Sequence, residues 1–396
     1  MHALPHDHTG TRIKRLRLER HLTQRALADL STVPYSTLTK VEQGVTAATP
    51  YVIGCLARAL RVDVATVTGQ PYVTELRADE LDVLIRPIRE ALDVYDLGAD
   101  PEVTPRAHQL LADDAEALLV AVRAGEIKQV AGQLPALMQE STTAAHLAPG
   151  RDGWLLLASL YRTAYDVASK LGYFDLAALA LARMDWAAER GSDAVFGGMY
   201  RYMRALTYLR DGEYRTGERL VALGLRTLEQ ADPSREREVV TGQLHLGAAV
   251  MAGRSKNAGL AEGHLVEAER IAGTTGEAVT VHHLAFGPTN VKVHRVSVLA
   301  ELDEYGEAAQ TGRGVSVPAD WPKSRRSHHY AELARAQMWT GDFDASFQNL
   351  LRARKAAPQQ ARYHQTVRET YAGLEAARRR LPDSFLSYGS WLGASH

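Results

Sequence analysis

Apolar residues in the first seventy positions recur at helical spacing, and short polar segments separate the groups. Ile13 and Leu16 open a first predicted helix. Thr23 is placed to cap a second helix, from which Leu27 and Leu30 are expected to face inward. The pattern is typical of short amphipathic helices that share one small core.

Proline and glycine mark the next boundaries. Pro34 suits the first turn of a third helix, and Gly44 is expected to end that helix. Pro50 then opens a fourth helix that runs through Leu60, and a fifth begins near Val64. The sequence therefore predicts five short helices around a core that needs neither a metal nor a disulfide.

From about residue 150 onward the pattern changes to longer helices separated by turns that contain glycine. Four turns have similar sequences, at residues 171–177, 211–217, 302–308 and 340–346. A further turn near Gly253 is expected to be irregular, with a longer loop. The spacing of these turns gives a period of about 38–50 residues, the range of helical-hairpin solenoids.

An amphipathic segment at residues 74–97 joins the two regions, and Pro87 is expected to kink it. Its apolar positions form one stripe, namely Leu81, Leu84, Ile85, Ile88 and Leu92. Two interpretations of this stripe stay open: it packs as core against the repeats, or it forms a seam between the two chains of a dimer.

These patterns predict an all-α fold in three parts. Residues 10–70 form the five-helix domain, residues 71–103 a helical linker, and residues 104–381 the repeat array. Thr104-Pro105 is a suitable start for the first helix of the array, which is expected to run to about Arg123.

The composition is that of a globular protein in a reducing compartment. Hydrophobic residues make up 45% and charged residues 23% of the chain. The sequence contains no run of eighteen or more apolar residues, which is the length that a membrane-spanning helix needs. The first residues, MHALPHDHTG, lack the apolar centre of a secretory signal. The single cysteine, Cys55, excludes an intramolecular disulfide and is expected to be a small buried hydrophobe. We therefore expect a cytoplasmic protein without a membrane partner.

The net charge of −1 conceals an asymmetry between the two ends of the chain. Residues 1–70 hold nine Lys/Arg and five Asp/Glu, whereas residues 71–396 hold 37 Lys/Arg and 42 Asp/Glu. A charge run is most often a solvated helix face, so the basic excess alone does not establish a nucleic-acid partner.

The N-terminal region resembles the lambda-repressor-like (Cro/Xre) helix-turn-helix family. The resemblance rests on RIKRLRLERHLTQRALADLSTVPYSTLTKVEQG at residues 12–44, followed by LARALRVDVATV at residues 56–67. It implies that double-stranded DNA is the partner and that the third helix lies in the major groove.

Helix geometry then assigns the contacts with DNA. Leu38 and Val41 must point into the core, which leaves the opposite face of the third helix for base edges. The base-reading candidates are Tyr35, Ser36, Thr37 and Lys40. Candidates for phosphate contact, each of which could also be an ordinary polar surface residue, are Arg12, Arg15, Gln24, Arg25, Thr39 and Gln43.

One segment departs from the family pattern. Many relatives carry arginines after the position of Gly44, whereas this chain has Val45-Thr46-Ala47-Ala48. Fewer phosphate contacts are therefore available to a single domain, and we expect the protein to bind DNA as a homodimer.

The last repeat unit resembles a tetratricopeptide repeat, while the other units are degenerate. The matching positions are Gly341, Phe343, Ser346, Leu350, Ala353 and Pro358. In such repeats the first helix of each hairpin lines a concave groove. Carrying that register across gives six candidate ligand-binding residues: Arg162, Tyr202, Gln243, Asn290, His294 and Arg335. Asp166, His328 and Trp339 are expected near the same face.

Two of these candidates have structural alternatives, since Asn290 could cap a helix and His294 could be a packed or exposed histidine. The two-part organisation resembles signal-sensing regulators of Gram-positive bacteria, which implies that the array binds a peptide or a small metabolite. The alternative is an array that binds another protein and senses no small signal.

The sequence does not favour an enzyme. It lacks GxGxxG, P-loop, GxSxG and HExxH motifs. The pairs His282-His283 and His328-His329 have no carboxylates at metal-ligand spacing, and His2, His6 and His8 lie on a terminus that is expected to fray. We therefore expect no catalytic residue, no metal and no cofactor.

Overall fold

The computed structural model describes residues 8–377 and 382–393 of the chain. Within these residues the fold consists of 22 α-helices and two short 3-10 helices, and the single β-type contact is an isolated bridge between Ala278 and Phe286. The predicted all-α class is confirmed. His2 and His6 lie outside the described residues, as does the predicted end of the array at residues 378–381.

The first five helices form the N-terminal domain, here called the head. They are α1 (Thr9–Glu19), α2 (Gln24–Ser31), α3 (Tyr35–Glu42), α4 (Pro50–Leu60) and α5 (Val64–Thr68). The Thr23 hydroxyl accepts a hydrogen bond from the Ala26 backbone N–H at 3.1 Å and so caps α2, as predicted. His8 does not fray, because its Nδ1 accepts from the backbone N–H groups of Gly10 and Thr11 and caps α1.

The inward face of α2 differs from the prediction at one position. Leu27, Ala28 and Ser31 are buried, whereas Leu30 is 61% exposed. With 3.6 residues per turn, Leu30 is rotated by roughly 100° from the centre of the face that the three buried residues define. The expectation that Leu30 faces inward is therefore wrong, while that for Leu27 is confirmed.

The linker contains α6 (Val73–Ala78), a 3-10 turn (Asp82–Leu84) and α7 (Ile85–Asp93). Its apolar stripe is buried in one core with the repeat helices, so it packs within the chain and does not form an exposed seam. Pro87 does not kink a helix, because it lies in the first turn of α7, where a missing backbone N–H costs no hydrogen bond.

Six antiparallel helical hairpins follow the linker. They are α8–α9 (His108–Ala124, Ile127–Leu147), α10–α11 (Arg151–Leu171, Phe174–Gly191), α12–α13 (Ala194–Arg210, Tyr214–Leu228), α14–α15 (Arg235–Arg254, Ala258–Thr275), α16–α17 (Pro288–Glu301, Tyr305–Arg313) and α18–α19 (Lys323–Trp339, Phe343–Ala356). Three further helices complete the array: α20 (Pro358–Tyr363), α21 (Gln365–Ala377) and α22 (Asp383–Leu392).

The structure corrects two predicted helix boundaries in the array. The first helix begins at His108 and not at Thr104, because Arg106 instead binds Glu140 through both its backbone N–H and its guanidinium. The turn near Gly253 is short, and the longer connection is the segment at residues 276–287. Gly253 lies inside α14, where a Cβ would come within 3.2 Å of a backbone oxygen of α16, so close helix packing explains this glycine.

The array curls until its two ends meet. Helix α18 of the last hairpin contacts α8 of the first, and α20 contacts α10. The Lys170 ammonium on α10 donates to the Gln360 side-chain oxygen on α20 at 2.6 Å. This closure brings residues that are far apart in sequence around one central space.

Candidate nucleic-acid interface and central cavity

Helix α3 presents one polar face to solvent while its other face packs into the head. Leu38 and Val41 are buried, as the sequence predicts. Tyr35, Ser36 and Lys40 are exposed in the intact chain, and 47% of the Tyr35 surface is accessible to solvent. Three of the four predicted base-reading side chains are therefore accessible to a partner, and the fourth, Thr37, is partly exposed.

A buried ion pair holds α3 against α1. The Arg17 guanidinium donates to both carboxylate oxygens of Glu42, at 2.6 and 2.9 Å, and the hydrogen bond raises the pKa of Arg17. The Gln24 side-chain N–H₂ donates to the same carboxylate at 2.8 Å. Gln24 thus helps to hold the two helices of the motif together, and the phosphate contact expected of it stays a prediction.

The other predicted phosphate contacts divide into exposed and engaged side chains. Arg15, Arg25 and Gln43 are exposed, and the Arg25 guanidinium lies 5.6 Å from the centre of the Tyr35 ring. Thr39 is partly exposed, and its hydroxyl oxygen is buried. Arg12 donates to the backbone oxygens of Val67 and Thr68, at 3.0 and 2.9 Å, which gives it a bracing role between α1 and the end of α5.

The head is docked onto the array through α4. The Arg58 guanidinium donates to the Gly212 backbone oxygen at 2.7 Å, in the turn between α12 and α13. A Cβ at Gly54 would lie 3.3 Å from the Gly212 Cα, so the absence of a side chain lets α4 approach this turn closely.

A second contact explains the loop that lacks arginines. The Glu369 carboxylate on α21 accepts hydrogen bonds from the Thr9 hydroxyl and from the Ala48 backbone N–H. Ala47 packs beside Gly373 of the same helix, and Ala48 is buried. Close packing on α21 explains the small residues Ala47 and Ala48, whereas Val45 is 61% exposed and is not restricted by this contact.

The structure brings four of the six predicted ligand residues together in one chain of hydrogen bonds. The Gln243 amide donates to the Tyr202 hydroxyl at 2.7 Å, and the Asn290 amide donates to the Gln243 oxygen at 3.4 Å. His294 Nδ1 lies 2.9 Å from the Asn290 backbone oxygen. Arg325, which the sequence analysis did not single out, donates to the Asn290 side-chain oxygen at 2.6 Å. These residues contact one another and are mostly buried, so they do not line an open groove.

Arg335 belongs to a separate group of ionised side chains, here called the paired cluster. The Arg335 guanidinium contacts Glu332 at 2.6 Å and Glu301 at 3.1 Å, and Arg254 contacts Glu301 at 2.8 Å. Burial opposes ionisation of Glu301, yet the two arginines lower its pKa to about 2. Two cations and two carboxylates therefore balance in this cluster, which consists of Arg254, Glu301, Glu332 and Arg335.

A cavity of about 420 Å³ lies between the head and the array. Pro50, Ile53 and Val64 line it from the head, and cationic side chains line it from the array: Arg123, Lys170, Arg210, Arg254, Arg325 and Arg335. Of the residues that the sequence analysis placed on the concave face, Asp166, His328 and Arg335 line this cavity. Trp339 instead stacks on Tyr305, with ring centres 5.4 Å apart.

A second set of charged side chains is here called the cation cluster. It consists of Arg123, Asp166, Lys170 and Arg325, which line the same cavity, and of Arg162, which is buried outside the cavity lining. Arg123 contacts the Asp166 carboxylate at 2.6 Å. Arg162, Asp166 and Lys170 follow one another at intervals of four on α10, so they share one face of that helix. The predicted residue Arg162 thus lies near Arg123 and Asp166, and these two also act on Lys170. Lys170 and Arg325 were missed from the sequence. The one local signal was the basic run at residues 325–326 beside two histidines.

The described part of the chain was also compared with the requirements of a membrane-spanning helix and of a metal site. No helix there is long and apolar enough to cross a membrane. The same residues contain no group of three or more His, Cys, Asp or Glu side chains arranged to hold a metal ion.

Comparison with known proteins supports the interpretation of the head as a helix-turn-helix domain. Residues 13–67 match the family model described as Helix-turn-helix, which covers the head from α1 through α5. No curated protein and no solved structure gives a significant match. The chain therefore carries, at its N-terminal end, a DNA-binding helix-turn-helix domain of the kind that regulates transcription.

Proposed function

We propose that the protein is a sequence-specific transcriptional regulator in which a signal bound by the tetratricopeptide-like array changes the affinity of the head for operator DNA. The observation that carries this proposal is the cavity of about 420 Å³ at the junction of head and array. Small-molecule sites have volumes of about 300–1,000 Å³ and occur preferentially between domains. The cavity favours a small ligand over an array that only binds another protein.

The docking contacts supply a route from the signal to the head. Pro50 and Ile53 of α4 line the cavity, and Arg58 of the same helix bonds the α12–α13 turn. A ligand that binds the docked arrangement more tightly than a displaced one shifts the equilibrium between them. A difference of about 1–3 kcal/mol changes DNA affinity roughly 5–150-fold, and DNA then changes ligand affinity by the same factor.

The proposal includes a homodimer on a roughly palindromic site. The loop at residues 45–48 contains no lysine or arginine, so each head has fewer cations for phosphate groups. Two heads on half-sites about one helical turn apart would double those contacts. Light scattering of the full chain on a selected DNA fragment tests this part, and a monomer that binds one asymmetric half-site tightly would contradict it.

The experiment for the signal begins with a DNA fragment selected by the protein from a random-sequence pool. Fluorescence anisotropy then measures DNA affinity with and without the small-molecule fraction of host extract. We expect a shift of at least about fivefold. If no fraction changes the affinity, the protein-partner alternative takes the place of ligand sensing.

Asn290→Ala tests whether the hydrogen-bonded chain belongs to the response. Asn290 joins Gln243 to Arg325, so its loss should weaken the response to the active fraction and leave DNA affinity without ligand nearly unchanged. If the variant loses thermal stability and DNA binding together, Asn290 has only a structural role.

A further inference from the structure

The cation cluster has more positive charge than the protein balances. Arg123 is matched by Asp166, but Arg162, Lys170 and Arg325 have no carboxylate within 4 Å among the residues described. Their recorded contacts are with neutral groups: Lys170 donates to the Gln360 amide oxygen and Arg325 to the Asn290 amide oxygen. Arg162 is buried and Lys170 and Arg325 are half-buried, so three cations lie at least partly inside the protein without an ion-pair partner of their own.

The nearest remaining carboxylates have other partners. Glu116 is 60% exposed, and it contacts His283 at 2.7 Å. Glu369 lines the cavity, but it accepts hydrogen bonds from Thr9 and Ala48 of the head, and burial raises its pKa. Glu116 exerts only a weak attraction on Arg162, and neither carboxylate forms an ion pair with the cation cluster.

The environment of these cations is unfavourable to charge. Burial, together with the neighbouring Arg123, lowers the pKa of Lys170 to about 8 and that of Arg162 to about 9, although Asp166 acts in the opposite direction. Uncompensated buried charges are strongly destabilising, and the usual remedy is an opposite charge with hydrogen bonds. The cost is removed if a negatively charged ligand enters the cavity.

Donors are also left unused at this place. Arg325 Nε, Arg123 Nε and two nitrogens of Arg162 are buried without a hydrogen-bond partner within the described chain. His328 and His364 line the cavity as well, and burial lowers the pKa of His364 to about 4, so it is a neutral donor or acceptor at pH 7. Guanidinium N–H groups and an ammonium are the donors that carboxylates and phosphates prefer.

We infer that the cavity binds a small anion that bears carboxylate or phosphate groups, held by Lys170 and Arg325 with Arg123 and Arg162 behind them. This inference deepens the proposed function, because it names the chemical class of the signal. The volume of about 420 Å³ suits a metabolite and not a long peptide. Since Pro50, Ile53 and Val64 form the wall toward the head, the ligand has an apolar part that faces the head.

The first test measures binding of two probe anions, inorganic phosphate and citrate, to the full-length protein by calorimetry and thermal unfolding. We expect saturable binding of one anion per chain that raises the unfolding temperature. Lys170→Met and Arg325→Met should each weaken that binding roughly thirtyfold or more. Two variants are used because either one could disturb folding, which circular dichroism checks.

Arg295→Met is the matched control. Arg295 is a half-buried arginine of the array that lies outside the cavity lining, and its guanidinium is paired with Glu262 at 2.7 Å. Binding should be unchanged in this variant. Preference for phosphate or for citrate identifies the anionic group of the ligand. The inference would be overturned if neither phosphate nor citrate binds, or if the wild type and both Met variants bind the anion equally well.

A DNA-affinity measurement separates this inference from the proposed function. If citrate or phosphate binds with the expected variant pattern and DNA affinity stays constant, the anion site is supported and regulation by it is not. If a host fraction changes DNA affinity equally in wild type and Lys170→Met, ligand regulation is supported and the anion site is wrong.

Discussion

The paired cluster and the cation cluster border one cavity, yet the protein treats their charges differently. In the paired cluster each guanidinium meets a carboxylate at 2.6–3.1 Å. In the cation cluster a single carboxylate, Asp166, pairs with Arg123 and attracts Arg162 and Lys170 only at longer range. The first arrangement is complete within the chain, whereas the second is complete only with a further negative charge. We therefore attribute a role in fold stability to the paired cluster and a role in anion binding to the cation cluster.

The largest expected effect comes from breaking the complete arrangement. Glu301→Gln leaves Arg254 and Arg335 buried and close together, so the free energy of unfolding should fall by about 3–5 kcal/mol. Urea denaturation measures this change. Glu267→Gln serves as the control, because the exposed Glu267–Arg270 pair should contribute less than about 1 kcal/mol. Equal losses in the two variants would remove the distinction between buried and exposed pairs.

The cation cluster should respond in the opposite direction. Arg162→Met removes a buried charge that has no carboxylate of its own and fills the same space with apolar atoms. Without added anion, the free energy of unfolding should rise by about 1–4 kcal/mol. Urea denaturation in chloride buffer provides the measurement. A loss of stability in this variant would show that Arg162 is satisfied within the protein.

The exposed cations of the head extend the comparison, because DNA is their predicted partner. Lys40→Ala should cost about 1–3 kcal/mol on the selected site and relax its specificity. Arg15→Ala should weaken binding to all sequences alike and reduce the salt slope by about 1. Anisotropy titrations at several salt concentrations distinguish the two. Unchanged specificity after Lys40→Ala would remove this residue from the base-reading set.

The smallest predicted effect concerns pH. Burial lowers the pKa of Lys170 to about 8, Arg123 and Arg325 act in the same direction, and Asp166 opposes them. An anion binds the protonated ammonium, so citrate affinity should fall roughly tenfold from pH 7.5 to pH 9.5 as Lys170 loses its proton. Calorimetry at both pH values checks this. Lys170→Arg keeps its charge and should show a flat profile, and a fall of equal size there would assign the effect to another group.

The head could be predicted from sequence because local chemistry determines its boundaries. The Thr23 cap, Pro50 at the start of α4 and Val64 at the start of α5 all lie where the turn residues placed them. The error at Leu30 arose at the end of a helix of only eight residues, where few positions define the inward face.

The central site was only partly predictable, since it depends on how far the array curls. The turns within three hairpins follow from Gly172, Gly212 and Gly341, which adopt a positive φ. Gly253 was misplaced because its role is close packing between helices. Arg123, Lys170 and Arg325 lie on α8, α10 and α18, and only the contact between the first and last hairpins brings them together. Superhelical pitch is the sum of many small packing angles, which no local pattern reports.

The most direct test is native mass spectrometry of the full-length protein purified from its own host without added anions. We predict that wild-type protein carries one small anionic molecule per chain and that a Lys170→Met/Arg325→Met variant, purified in parallel, does not. The Arg295→Met control should retain the molecule. Wild-type protein with no bound mass, or with the same bound mass as the double variant, would contradict the claim that an anion completes the cation cluster.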